Sequence, residues 1–414
     1  MIIVGGGAAG MMTAIFAAEN YKVTLLEKNE KLGKKLFITG KGRCNLTNAC
    51  DEETFLKNVM SNPKFLYSAI YSLNSEQVMK YFTDWGLSIK TERGSRVFPT
   101  SDHSSDVIRT LEREMERRGV KVRLNTKVSR ILTVSSESSE KVTGVRLATG
   151  EELYADVVVL ATGGVSYSGT GASGECVTML EKLGIDVRPF QPSLVPFESD
   201  LSICKPLMGL SLKNVEVSFY RASKPKKPVY QEFGEMLFTH FGVSGPIILS
   251  ASGKLQKYFG TDRKPKEELY LLIDWKPALD RDQLDGRVLR EFDQAKNKNL
   301  QNVMETLLPK AAVPYVLAQA GLHTEEKVHE VTQEERRKLV ETLKGFRLPI
   351  LGVRGFDEAI ISAGGISVKE IDPKTMELKK LSGLRVAGEM IDCDALTGGF
   401  NLQIAWCTAY LAAQ

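Results

Sequence analysis

Gly5, Gly7 and Gly10 form a GxGxxG pattern between an apolar run, Met1 to Val4, and an Ala/Met/Phe-rich stretch that keeps helical apolar spacing to Asn20. Each glycine there has its own task. Gly5 permits a tight turn, Gly7 lets the backbone approach a pyrophosphate, and Gly10 allows a helix to lie close to a strand. The helix start adds free N–H groups and roughly half a positive charge facing the anion, with Ala8 and Ala9 in its first turn. Glu27 ends a second apolar run, Val23 to Leu26, and its carboxylate can accept ribose hydroxyls. The chemistry implied is dinucleotide binding. A second match, Gly169-Thr-Gly-Ala-Ser-Gly174, stands apart from the strand ending at Ala161 and is followed by no acid-terminated strand, so it reads as a loop. No dedicated nicotinamide site is therefore evident.

Two further segments suit a large, anionic, redox-active ligand. The stretch Gly33 to Asn48 is dense in glycine, cations and amides, so Lys34, Lys41 and Arg43 can each face phosphate or flavin; an exposed basic loop is the alternative. Cys44 within it is either a reactive thiol beside a flavin or a small buried core residue. Near the C-terminus, Thr397-Gly-Gly-Phe-Asn-Leu-Gln403 opens an apolar helical run through Leu411. A helix started by glycines can point its N–H groups at the N1–C2=O edge of an isoalloxazine and stabilise the anion that develops on reduction. Together these segments predict FAD, rather than FMN or NAD, as the bound cofactor, with NAD(P)H as a transient reductant.

Other chemistries find little support. The four histidines, His103, His240, His323 and His329, show no metal-ligand spacing, and no metal site is expected. His240, in the glycine-rich run Gly234 to Pro246, is with Arg43 a weak catalytic candidate, although a structural histidine is the simpler reading. There is no GxSxG elbow and no GxxxxGK loop, which disfavours hydrolase and triphosphatase readings. Cofactor chemistry needs few protein acids or bases, which fits the lack of a triad or carboxylate pair.

The elements that must position these residues follow from periodicity. Strand, glycine turn, helix and strand open a doubly wound parallel sheet. From Lys121 to Ala161 short alternating strands (Val122 to Leu124, Lys127 to Leu132, Val142 to Leu147, Leu153 to Leu160) predict a meander with polar turns at 135–140 and Thr149-Gly150. Beyond Pro189, prolines punctuate short strands, and Ser223-Lys-Pro-Lys-Lys-Pro228 and Lys264-Pro-Lys266 read as solvated hairpin tips. Helical periods follow at Leu284 to Gln294, Asn302 to Leu308 and Gln333 to Leu343. The glycines then return, so the expected domains are 1–190 with 346–414, interrupted by 191–345, of which 191–278 is β-rich and 279–345 helical.

Composition narrows the setting. Lys and Arg total 55 against 51 for Asp and Glu, and the surplus of +4 is too small to announce a nucleic-acid surface. The six cysteines contain no CxxC pair and fit free thiols in a reducing compartment. Met1 leads straight into a strand, and no long apolar run occurs, so a cytoplasmic protein with no membrane association is expected.

The combination of Gly5 to Gly10 with Glu27, Gly42-Arg-Cys-Asn-Leu-Thr-Asn48, Ala161-Thr-Gly-Gly164, Gly234 to Pro246, Ala363-Gly-Gly-Ile366 and Gly388-Glu389 through Gly398 to Gln403 resembles the BaiN-like or YhiN-like bacterial flavoproteins, also described as the aminoacetone oxidase family, over nearly the whole chain. The resemblance implies a discontinuous glutathione-reductase-like α/β FAD domain of the Rossmann type, interrupted by a β-barrel-like part and a small helical part. It implies that Glu27 binds the adenosine ribose, that Val128 contacts adenine through its backbone, and that Arg43, Asn45, Gly388, Glu389 and Gly399, Phe400, Asn401 and Leu402 lie along the cofactor. Lys28, Lys34, Gly42, Ala161, Thr162 and Gly163 complete the expected cofactor contacts. Family names invoke enone reduction, amine oxidation and NAD(P)H dehydrogenation, so no one substrate is implied. The expected activity is FAD-dependent oxidoreduction between a nicotinamide or other small reductant and a small organic acceptor or dioxygen. A flavoprotein acting on RNA and a flavin-binding protein without turnover are the alternatives, with nucleic acid disfavoured by the modest charge.

Overall fold

A computed structural model describes residues 1–135 and 140–414, so the polar turn expected at 135–140 falls largely outside the described residues. The chain divides into two compact units, Met1–Ser193 with Phe356–Gln414, and Leu194–Gly355.

The first unit is built on a five-stranded parallel sheet in the order Leu384–Val386, Val158–Leu160, Ile2–Val4, Thr24–Leu26, Lys121–Arg123. Its central strands are short and wholly apolar because a parallel sheet is covered on both faces; Ile2–Val4 and Val158–Leu160 are buried throughout. The helix Ala8–Ala17 buries every residue from Ala9 onward and stops at Ala17, short of the expected Asn20. Gly10 makes that packing possible, since a Cβ there would lie 1.8 Å from the Gly5 carbonyl oxygen.

Part of the expected meander exists: Val128–Ser135 and Glu140–Leu147 pair antiparallel, and Glu152–Tyr154 joins the second, but the strand expected at Val122 to Leu124 forms as Lys121–Arg123 at the edge of the parallel sheet instead. The run Leu153 to Leu160, read as one strand, is two. Glu152–Tyr154 stays in the meander, whereas Val158–Leu160 enters the parallel sheet between Ile2–Val4 and Leu384–Val386. Residues from the end of the chain thus supply both a strand of this sheet and the helix Phe400–Ala413.

The second unit holds a seven-stranded antiparallel sheet in the order Phe346–Ile350, Leu269–Asp274, Ser211–Arg221, Tyr230–Thr239, Gly242–Ser244, Phe197–Glu198, Gly352–Val353. The strands at its two ends are separated in sequence by Leu351 alone. The sheet must therefore curl until its edges meet, which gives a barrel-like form without long free edges. Phe197, Phe219, Phe238 and Phe346 are fully buried in this unit. Its helices include Arg281–Gln294, Leu300–Met304 and Gln333–Lys344 near the predicted periods, and also Val313–Ala320. Asp280 with Gln283 and Thr332 with Glu335 form capping boxes that fix two of the helix starts. The strand Phe346–Ile350 belongs here because it pairs with Leu269–Asp274, so this unit closes at Gly355 rather than at 345. Among the described residues, no helix is long and apolar enough to cross a membrane.

Candidate functional site

The segments singled out in the sequence converge because four adjacent parallel strands stop in register: Val4 lies opposite Leu160 and Leu26, and Leu160 opposite Val386. Gly5, Glu27, Ala161 and Ala387 each follow one of these residues, so their turns all lie at the carboxyl end of the sheet, where open α/β sheets bind ligands. Direct contacts tie the turns together. A Cβ on Gly5 would lie 2.5 Å from the Ala161 carbonyl oxygen, and one on Gly388 would lie 2.8 Å from the Ala9 Cβ. The Gly388 N–H donates to Thr408 Oγ1 at 3.0 Å.

Glu27 is buried, with Oε2 accepting from the Gly6 N–H at 2.7 Å and Oε1 from the Asn29 N–H at 2.8 Å and the Asn29 side-chain amide at 2.7 Å. These bonds fix the carboxylate at the turn. The Thr126 N–H donates to the Glu27 carbonyl, which brings the strand beginning at Val128 alongside.

Gly7 is the N-cap of the helix Ala8–Ala17, and a Cβ built on it meets nothing within 4 Å; the same holds at Gly42 and Gly163. At Gly5, Gly6 and Gly10, by contrast, a Cβ would collide with the protein itself. The open space thus lies in front of the helix N-terminus and beside the Thr162-Gly163 turn, as a pyrophosphate cradle requires. The buried Asn45 Oδ1 and Thr162 Oγ1, both in expected cofactor segments, have no hydrogen-bond partner among the described residues. The residues present fit the dinucleotide.

At the other end, the helix Phe400–Ala413 starts at Gly399, whose φ of 100° and approach to within 2.3 Å of the Thr47 carbonyl carbon by a built Cβ exclude any side chain. Three bonds pin this helix start to the Leu46–Asn48 segment: Trp406 Nε1 donates to the Leu46 carbonyl at 2.8 Å, Thr47 Oγ1 to Gln403 Oε1 at 2.6 Å, and Asn48 Nδ2 to the Gly398 carbonyl at 3.0 Å. The segment carrying Gly42, Arg43 and Asn45 is thereby placed next to Gly399, Phe400 and Leu402. Asn401 turns its amide back on its own loop, to Ala395 and Leu396.

Several cations are engaged elsewhere than the sequence suggests. Arg43 donates through Nε and Nη2 to Asp102 and through Nη2 to Glu92, and its guanidinium lies 4.2 Å from the centre of the Phe98 ring. Lys90 and Arg43 hold the Asp102 carboxyl below the usual carboxylate range, and Arg43 does the same to Glu92. Lys28 binds Ser173 Oγ and pairs with Glu175, and Lys34 pairs with Glu30. Lys41 has a left-handed backbone, φ 58°, in an exposed turn. Cys44 is fully buried and its thiol is pushed up to about 12 by burial, which makes it a core residue rather than a reactive thiolate. His240 sits at an exposed turn of the second unit with its ring edge on Phe241.

Sequence reasoning missed three features. Lys35 Nζ donates to both oxygens of Glu389, at 2.9 and 2.6 Å, and to Ser166 Oγ at 2.6 Å. Gln403 is a buried clamp, with Nε2 on the Leu73 carbonyl as well as Oε1 on Thr47. Asp392 and Asp394 are buried, and burial raises both carboxyls. Only the acids carried a readable signal, as charges flanking Cys393 in an apolar, glycine-rich segment.

The family model described as "HI0933-like protein Rossmann domain" matches residues 1–414. The 3-dehydro-bile acid delta(4,6)-reductase of Clostridium scindens is 29% identical over 100% of this chain and 97% of its own length. The ribosomal RNA dihydrouridine synthase of Haemophilus influenzae is 30% identical over 100% of this chain and 97% of its own length. Among solved structures, the 3-ketosteroid-delta4-(5alpha)-dehydrogenase of Rhodococcus jostii RHA1 has a TM-score of 0.53 at 15% identity, covering 100% of this chain and 96% of that one. At that identity the likeness concerns the fold.

Proposed function

Because the chain belongs to the HI0933-like family, we propose that it reduces a carbon–carbon double bond conjugated to a carbonyl group. FAD is the cofactor and the enzyme is an FAD-dependent oxidoreductase. The observation that carries the finer reading is that two full-length relatives, at 29% and 30% identity, have unlike substrates but the same bond chemistry. A delta(4,6)-reductase of a 3-dehydro bile acid saturates double bonds in conjugation with a 3-oxo group. A dihydrouridine synthase saturates the uracil C5=C6 bond, conjugated to the C4 carbonyl. In either case the acceptor takes a hydride at an electron-poor carbon conjugated with the carbonyl, β in an enone or uracil and δ at the far bond of a 4,6-dienone, and a proton at the adjacent carbon of the same double bond.

Bound in the cradle, FAD supplies two-electron transfer through its ring, refilled by a nicotinamide or other small reductant. In this reading Glu27 holds the adenosine ribose, and the helix start at Gly7 to Gly10 holds the pyrophosphate. The helix start at Gly399 to Leu402 stabilises the negative charge that develops at the ring edge. Backbone N–H groups suit this task because they are fixed by the helix and need no reorganisation during the reaction.

RNA is retained as the second reading of the acceptor because two full-length relatives are ribosomal RNA enzymes. The test is incubation of the protein with reductant and either a 3-oxo-Δ4,6 bile acid or uridine-containing ribosomal RNA. A product heavier by two hydrogens is expected from one of them. Saturation of neither, by protein that carries FAD and accepts electrons, would remove this acceptor class.

A further inference from the structure

We infer that Lys35 is a positioning residue for the cofactor: it holds the Glu389 carboxylate at the Gly163-Gly164 turn, where that carboxylate receives the hydroxyls of the FAD ribityl chain. Three donors converge on Glu389 from three parts of the first unit. Lys35 Nζ comes from the helix Lys34–Ile38, the Ser362 N–H from the strand Ile361–Ile366 at 2.9 Å from Oε1, and Ser166 Oγ from the loop after Val158–Leu160 at 3.3 Å from Oε1. Ser362 Oγ in turn accepts from the Val165 and Ser166 N–H groups at 2.9 and 3.0 Å, which ties that loop to the same point.

The carboxylate lies against the cradle. A Cβ on Gly164 would be 3.0 Å from Glu389 Oε1, and Gly388, its chain neighbour, abuts Ala9 in the first turn of the phosphate-facing helix. Oε1 is crowded by its donors, whereas Oε2 faces Lys35 at 2.6 Å, and a carboxylate can accept about four hydrogen bonds in all. The Lys35 and Glu389 side chains each keep 22% of their surface exposed, so the pair borders open space rather than the core. A carboxylate fixed by a lysine, a serine and a backbone N–H, with an oxygen still able to accept, is suited to recognise a chain of hydroxyls. Lys35 acts through Glu389, by removing its freedom to turn away.

The inference rests on FAD as the cofactor and not on the choice of acceptor. It is tested by titrating FAD into deflavinated wild type, Lys35→Met, Lys35→Arg and the double variant Lys35→Met with Glu389→Leu, with the melting temperature of each apoprotein recorded alongside. Lys35→Met is expected to weaken FAD binding about tenfold to a hundredfold, as loss of a charged hydrogen-bond partner does, and Lys35→Arg to recover part of it. The double variant replaces an ion pair by apolar groups of similar size and should regain melting temperature without regaining FAD affinity. Unchanged affinity in Lys35→Met, or wild-type affinity in the double variant, overturns the inference and leaves the pair a structural salt bridge. Wild type that binds no FAD would instead overturn the cofactor assignment.

Discussion

At the scale of single residues, the glycines of the first turn separate into two physical classes, and the separation can be measured. Gly7 faces open space and has β-region backbone angles that any residue adopts, so Gly7→Val should leave the apoprotein's stability within about 0.5 kcal/mol of wild type. It should nevertheless abolish FAD retention, because the side chain fills the space in front of the helix N-terminus. Gly10→Ala drives a methyl into the Gly5 carbonyl and should destabilise the apoprotein by about 3 kcal/mol. Chemical denaturation and flavin absorbance check both, and a Gly7→Val protein that purifies yellow contradicts the cradle. Asp394 makes a second residue-scale case. Its environment comprises Ser193 Oγ, Ser61, the neighbouring Asp392 and the Arg188 that pairs with Asp392. Burial raises its carboxyl, so the fold favours the protonated form. Its contribution to stability is therefore full below the unfolded value of about 4 and fades as pH rises through the elevated folded value. Asp394→Asn should lose less melting temperature than wild type as pH rises above about 4, the direction this sign dictates. Parallel pH profiles for the two proteins would contradict that assignment.

At the scale of elements, the helix Phe400–Ala413 organises the flavin end of the site by pinning Leu46, Thr47 and Asn48. Trp406, fully buried and edge-on to Phe82, is the main anchor. Trp406→Ala should cost about 3–5 kcal/mol of unfolding free energy and also weaken FAD binding, because the loop carrying Gly42 and Asn45 loses its support. Denaturant titration and flavin release read the two effects, and a stable Trp406→Ala protein that releases flavin no faster than wild type would show that the helix start and the loop are not coupled. This element was legible in the sequence: glycines before a long apolar helical run have few other readings. The strand–turn–helix opening was legible for the same reason. Side-chain partners were not, because they join residues far apart in sequence, 49 positions for Arg43 and Glu92 and 354 for Lys35 and Glu389. Arg43 reads as a phosphate ligand among glycines, yet Glu92 and Asp102 approach it from a hairpin whose register no local pattern encodes. Lys34 and Lys35 are likewise equivalent by type, and a five-residue helix has too little periodicity to tell which one turns inward.

At the scale of the whole molecule, the first unit is discontinuous in sequence but continuous at its seam. The strands Val187–Ser193 and Ile361–Ile366 pair antiparallel with Ser193 opposite Ile361, so removing Leu194–Gly355 leaves Phe356 only five residues before the residue that Ser193 faces. A chain joining Ser193 to Phe356 through a short glycine linker should fold and retain FAD, as a yellow protein with one cooperative melting transition. A colourless or unfolded product would show that the second unit is needed to form the flavin site. The central claim, that electrons reach a conjugated double bond through FAD on this chain, is tested most directly by anaerobic mixing. The protein is reduced with NAD(P)H or dithionite, then mixed with the bile-acid enone or the RNA, while flavin absorbance and product mass are followed. The predicted result is return of oxidised-flavin absorbance in step with appearance of the saturated product, one equivalent per flavin. Reduced flavin that stays reduced in the presence of both acceptors, yet is reoxidised on admitting dioxygen, would contradict it.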